Sequence, residues 1–169
     1  MMIKNVLSSL LIVLVVSFGF SQNKNIVETA MASEDHTTLV TAVKAGDLVE
    51  TLQAEGPFTV FAPTNAAFDA LPAGTVDYLL KPDNKYKLQM VLNFHVIAGK
   101  LNAKDVVKAI KDGGGSASVE TVGGESLNFS LEGDLVKIAD AKGNVATVVA
   151  ADLNATNGVI HVIDTVLLP

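Results

Sequence analysis

Three histidines, His36, His95 and His161, are the side chains of this sequence best suited to proton transfer or metal binding near neutral pH. They stand far apart along the chain, and none sits in a spacing that such chemistry uses. There is no His-Glu-x-x-His helix motif, no Gly-x-Ser-x-Gly elbow, no Walker-type glycine loop and no dinucleotide fingerprint. No acidic run has the Asp-x-Asp-x-Asp-Gly spacing of a calcium loop. Folding can bring His95 and His161 together, and a zinc site there would need a carboxylate as well, but no paired spacing supports one. With no cysteine in the chain, thiol chemistry is excluded. The sequence therefore predicts no catalytic residue, no metal and no cofactor. Asn128-Phe129-Ser130 and Asn154-Ala155-Thr156 match the glycosylation sequon, a short and frequent motif.

The elements around the histidines favour a structural role. Leu88, Val91, Leu92 and His95 follow the i, i+3, i+4, i+7 rule, so His95 points where the apolar residues of its helix point. His161 lies between Ile160 and Val162 in the middle of an apolar strand. A buried imidazole needs a hydrogen-bond partner more than it needs a substrate.

Ile26 to about Glu55 reads as helix in two or three pieces, with Ser33 as an N-cap and Gly46 as a stop. Gly56-Pro57 is punctuation before a short buried strand from Phe58 to Ala62, which Pro63 ends. Thr64 or Asn65 caps the next helix, Pro72 to Leu80 forms a further helical turn, and Pro82 opens the helix that carries His95 and stops at Gly99. Asn102 caps Ala103 to Lys111, whose Lys104, Lys108 and Lys111 form a solvated stripe opposite the apolar face. From Ser116 the period changes. Strands are expected at Val119–Thr121, Leu127–Leu131, Leu135–Ala139, Val145–Ala151 and Val159–Leu167, separated by glycine-rich turns. Helices first and strands later predict an α+β fold, helices packed on a mainly antiparallel sheet system. Asp164 is expected to bond locally or to pair with a lysine.

The ends and the composition bound the rest. Lys4 followed by an apolar run from Val6 to Phe20 and small residues at Gly19 and Ser21 reads as a secretory signal, residues 1–21, leaving one domain over residues 22–169. The run is shorter than the roughly 20 residues of a membrane-spanning helix, which disfavours an uncleaved anchor and stable membrane insertion after the signal is removed. The signal style and the absence of disulfides point to a bacterial export, secreted to the periplasm or the extracellular space. All 12 positive charges are lysine and the net charge is −6, which argues against nucleic acid and against an anionic membrane surface.

Two segments carry a resemblance. Thr59-Val60-Phe61-Ala62-Pro63-Thr64-Asn65-Ala66-Ala67-Phe68 is similar to the first conserved box of the fasciclin domain, and Asn157-Gly158-Val159-Ile160-His161-Val162-Ile163-Asp164-Thr165-Val166-Leu167-Leu168-Pro169 is similar to its last. Between them, Val91 to Ile97 resembles the family's Tyr-His segment. The resemblance spans about residues 25–169. It implies a compact wedge of β-strands decorated by helices, and a secreted, non-enzymatic adhesion or interaction module working as a monomer or weak dimer. The implied partner is a surface protein or a polysaccharide of a cell surface or biofilm matrix. The family's Asp-Ile contact pair falls on Asp152 and Leu153, and its Tyr-His pair falls on Phe94 and His95, where the tyrosine hydroxyl is missing. These four are the candidate binding residues. Each also has a plain packing role to offer: Phe94 and Leu153 as core, His95 as a satisfied buried imidazole, Asp152 as a turn or capping residue. A small-molecule or lipid carrier, with a pocket between helices and sheet, is the alternative function.

Overall fold

The computed structural model describes residues 24–169; the predicted signal segment, residues 1–21, lies outside them. Seven strands form one sheet in the order β2-β1-β7-β6-β5-β4-β3, where β1 is Phe58–Pro63, β2 Val96–Ala98, β3 Ser116–Glu120, β4 Ser126–Glu132, β5 Leu135–Ala139, β6 Val145–Ala155 and β7 Gly158–Ile163. Every pairing is antiparallel except β1 with β7, which run parallel from Phe58↔Gly158 to Pro63↔Ile163. The two sequence boxes therefore lie side by side in the sheet. A parallel pair is covered on both faces, which is why β7 reads as an unbroken apolar run and is buried throughout.

Before the sheet come α1 (Ile26–Met31), α2 (Thr37–Ala45) and α3 (Val49–Gln53), with a 3₁₀ turn at Glu34–His36. The helices α4 (Asn65–Asp69), α5 (Thr75–Leu80) and α6 (Lys85–Phe94) follow β1, and α7 (Ala103–Asp112) follows β2. Alternation along β1 divides the interior in two. Val60 and Ala62 pack with Leu39, Val43, Leu52, Leu88 and Leu92 from the helices, while Phe61 packs on the opposite face with Phe94, Val106, Ile110, Phe129 and Ile138. The Val106 and Ile110 side chains seat α7 on this second core, burial that stabilises the docking by roughly 3–6 kcal/mol.

The α+β architecture, with helices mainly early and strands mainly late, is the one expected from the sequence. Several boundaries differ. The helix carrying His95 ends at Phe94 rather than Gly99, because Val96–Ala98 pairs with β1 as an edge strand. Strand β6 continues through Asp152 to Ala155 instead of stopping at Ala151, since its second half pairs with β7 across two register shifts. β7 ends at Ile163, four residues earlier than expected. Ser33 occupies the N-cap position but caps no amide; its hydroxyl is 2.9 Å from His36 Nδ1. Thr64 caps α4 through Ala67 N, while Asn65 reaches back to the Thr38 amide and the Glu34 carbonyl.

Candidate functional site

Asp152 sits on the bulged part of β6, with its backbone in the left-handed region at φ 58°. Aspartate is among the few non-glycine residues that tolerate this conformation. Three contacts hold it. Its Oδ1 accepts a hydrogen bond from Ala103 N at 2.8 Å, at the first residue of α7. Its own amide donates to His161 Nδ1 at 3.3 Å, and its carbonyl accepts from Asn154 Nδ2 at 3.3 Å. The carboxylate is exposed, and its second oxygen takes no hydrogen bond among the described residues. Leu153 pairs with Ile160 in register and remains 41% exposed.

His161 is the anchor beneath this bulge. It is 2% exposed, donates from Nε2 to the Leu101 carbonyl at 2.6 Å and accepts at Nδ1 from Asp152, so the Nε2–H tautomer satisfies both partners. Its ring stacks on Phe61, its register partner on β1, with centroids 5.6 Å apart.

Phe94 and His95 lie elsewhere and are 1% and 3% exposed. His95 donates from Nδ1 to the Val91 carbonyl at 2.7 Å and accepts at Nε2 from Leu167 N at 3.0 Å. Burial lowers its pKa to about 4, outweighing the Val91 hydrogen bond and the negative charge of Asp140, so the ring is neutral near pH 7. The four sequence-predicted residues thus do not form one surface. Asp152 and Leu153 are neighbours on an exposed bulge, whereas Phe94 and His95 belong to the interior. A chain of contacts joins the two sets. The His95 carbonyl accepts from Phe61 N at 2.9 Å, Phe61 stacks on His161, and His161 accepts from Asp152.

Both ring nitrogens of His95 and of His161 are engaged by backbone groups, so either would have to surrender one of these hydrogen bonds to bind zinc. Among the described residues no group of three or more His, Asp or Glu is placed to hold a metal ion. Between the first helices and the sheet lies an apolar cavity of about 30 Å³, lined by residues that include Ile26, Leu39, Val43 and Ile160.

Three positioning residues escaped the sequence reading. Thr59, fully buried on β1, donates to the Gly99 carbonyl at 2.7 Å and accepts from Leu101 N at 2.8 Å, fixing the approach to α7. Asn157 accepts from Ile26 N and donates to the carbonyls of Leu52 and Ala54, tying the β6–β7 turn to α1 and α3. Asp140 accepts from the amides of Lys142, Asn144 and Leu168 and from the Asn144 side chain. Its signal was available: an Asp followed by Gly143-Asn144 is the pattern of a side-chain-stabilised turn.

The family model for the Fasciclin domain matches residues 34–169. Protein sll1483 of Synechocystis is 54% identical over 144 residues, covering 85% of this chain and 73% of that protein. Cell surface glycolipoprotein MPB83 of Mycobacterium bovis is 36% identical over 149 residues, covering 85% of this chain and 60% of its own length. Among solved structures, a FAS1 domain pair from the insect cell adhesion molecule Fasciclin I superposes with a TM-score of 0.62 at 26% identity. That match covers 77% of this chain, which spans less than half, 45%, of the solved one. Sequence boxes, family model and relatives converge: the chain belongs to the fasciclin domain family.

Proposed function

We propose that this protein is a secreted, non-enzymatic adhesion module, residues 22–169 acting as a single unit in the periplasm or outside the cell. Its partner is a surface protein or a matrix polysaccharide, met through the Asp152–Leu153 bulge. One observation carries the reading: a carboxylate with a free oxygen and a half-exposed leucine are presented together on a backbone held from β7 and from α7. Such a patch is pre-organised, so binding orders little that was loose before. Phe94 and His95 act from behind the patch, through the core contacts that end at His161. Fasciclin I, named as a cell adhesion molecule, and MPB83, named as a cell surface protein, support the same class of role.

A lipid or small-molecule carrier would need far more room than the 30 Å³ cavity between helices and sheet, since ligand pockets run to roughly 300–1,000 Å³. The reading is tested by immobilising residues 22–169 and exposing them to the surface extract and matrix polysaccharide of the producing culture. An Asp152→Asn, Leu153→Ser protein serves as control. Asparagine keeps an acceptor for Ala103 N and tolerates the left-handed backbone, so the control removes charge and apolar surface without removing the fold. A partner held by the native protein and lost by the control is the expected result; equal retention by both would place the contact elsewhere.

A further inference from the structure

A run of positive charge in this acidic chain lies along α7. Lys104, Lys108 and Lys111, preceded by Lys100, fall within one short segment of a protein with a net charge of −6. Their i, i+4, i+7 spacing stacks the three helical lysines on one side of α7 over about 10 Å of helix axis. The orientation is fixed, because Val106 and Ile110 on the other side are buried in the second core. All three ammonium groups are exposed. The ion pairs among the described residues join Lys85 to Asp47 and Lys137 to Glu132, and none involves this stripe. Asp105 turns its carboxylate to the Asn102 amide, at 3.0 Å, as the return half of the capping box. Between the lysines runs a shallow groove of about 430 Å³ lined by Ala103, Lys104, Val107, Lys108, Lys111 and Asp112.

We propose that this groove docks an acidic polysaccharide, a linear chain bearing carboxylates on successive sugars. The Ala103 and Val107 floor suits the C–H face of a sugar ring, and the flanking lysines suit its carboxylates. Lysine is a mobile point charge rather than the planar fork that selects phosphate or guanine edges. The net negative charge of the whole protein opposes a broad anionic surface such as a bilayer or a duplex, whereas one slender chain lying along α7 meets three lysines against a single lining carboxylate, Asp112. The proposal rests on the reading of the protein as a binding module but not on the Asp152–Leu153 bulge.

The test is binding of the mature protein to polygalacturonate, followed by calorimetry across a range of salt, with neutral dextran and with phosphatidylserine–phosphatidylcholine vesicles as comparison probes. A Lys104→Gln, Lys108→Gln, Lys111→Gln protein is compared with one altered at three exposed lysines elsewhere, Lys24→Gln, Lys81→Gln, Lys142→Gln, both checked by circular dichroism. The expected result is polygalacturonate binding that weakens with salt, falls about tenfold or more in the α7 variant and changes little in the matched variant. Dextran and vesicles are not bound, and Asp152→Asn, Leu153→Ser leaves the polygalacturonate affinity intact. No binding by the native protein, equal losses in the two lysine variants, or equal binding to vesicles through the same lysines would each overturn it. Loss confined to the Asp152, Leu153 variant would also overturn it, while leaving the bulge reading standing.

Discussion

The Oδ1 atom of Asp152 lies 2.8 Å from the amide nitrogen of Ala103, so the exposed bulge of β6 is also the cap on the first turn of α7. The residue at the centre of the proposed contact surface therefore has a structural duty. Asp152→Ala removes the cap and places alanine at φ 58°, and a loss of about 2 kcal/mol in urea unfolding is expected. Asp152→Asn keeps both features, and a change well below that is expected. Equal losses for the two variants would show that the charge, not the cap or the backbone, does the holding.

Acid should destabilise the fold through its buried histidines. His95 titrates near 4 in the folded protein against 6.5 when free, because burial disfavours the charged ring. Between these values the unfolded chain binds the extra proton, so stability is complete above about pH 6.5 and falls as pH drops toward 4, by about 3 kcal/mol for this residue. His36 is also lowered by burial and adds in the same direction. Unfolding midpoints from pH 7 to 4 should fall less steeply in a His95→Gln protein; parallel curves would exclude the ring as the source.

Asp140 joins the β5–β6 turn to the C-terminal segment through four accepted hydrogen bonds. Asp140→Ala leaves part-buried amides, including that of Leu168, without their acceptor and should cost about 3 kcal/mol. Faster amide exchange at Asn144 and Leu168 would accompany the loss and distinguish it from a general loosening.

Gly158 is where β7 starts against β1. A Cβ there would overlap the Phe58 carbonyl, a backbone group that cannot swing aside. Gly158→Ala should therefore destabilise by several kcal/mol or prevent folding, although its backbone angle alone would accept alanine. A Gly158→Ala protein with native stability would mean that β1 and β7 are not in this register.

The period of apolar residues made the amphipathic face of α7 and the buried run of β7 legible in the sequence, and left the cap of α4 open between Thr64 and Asn65, of which the structure gives it to Thr64. It could not reveal β2, because Val96–Ala98 continues an apolar helix without a break and three residues carry no period of their own. Nor could it extend β6 past Ala151, since Asp152 carries the chemistry of a turn and here serves a bulge within a strand. The parallel contact of β1 with β7 joins segments a hundred residues apart, a pairing that no local pattern announces. Phe94 and His95 came from the resemblance to the fasciclin family. Their apolar surroundings in the sequence already indicated the burial that the structure displays.

The central claim is that the Asp152–Leu153 bulge is where this protein meets a surface. Beads coated with residues 22–169 should adhere to cells or matrix of the producing culture, and beads coated with the Asp152→Asn, Leu153→Ser protein should not, while both proteins unfold at the same urea concentration. Undiminished adhesion by the folded variant would contradict the account.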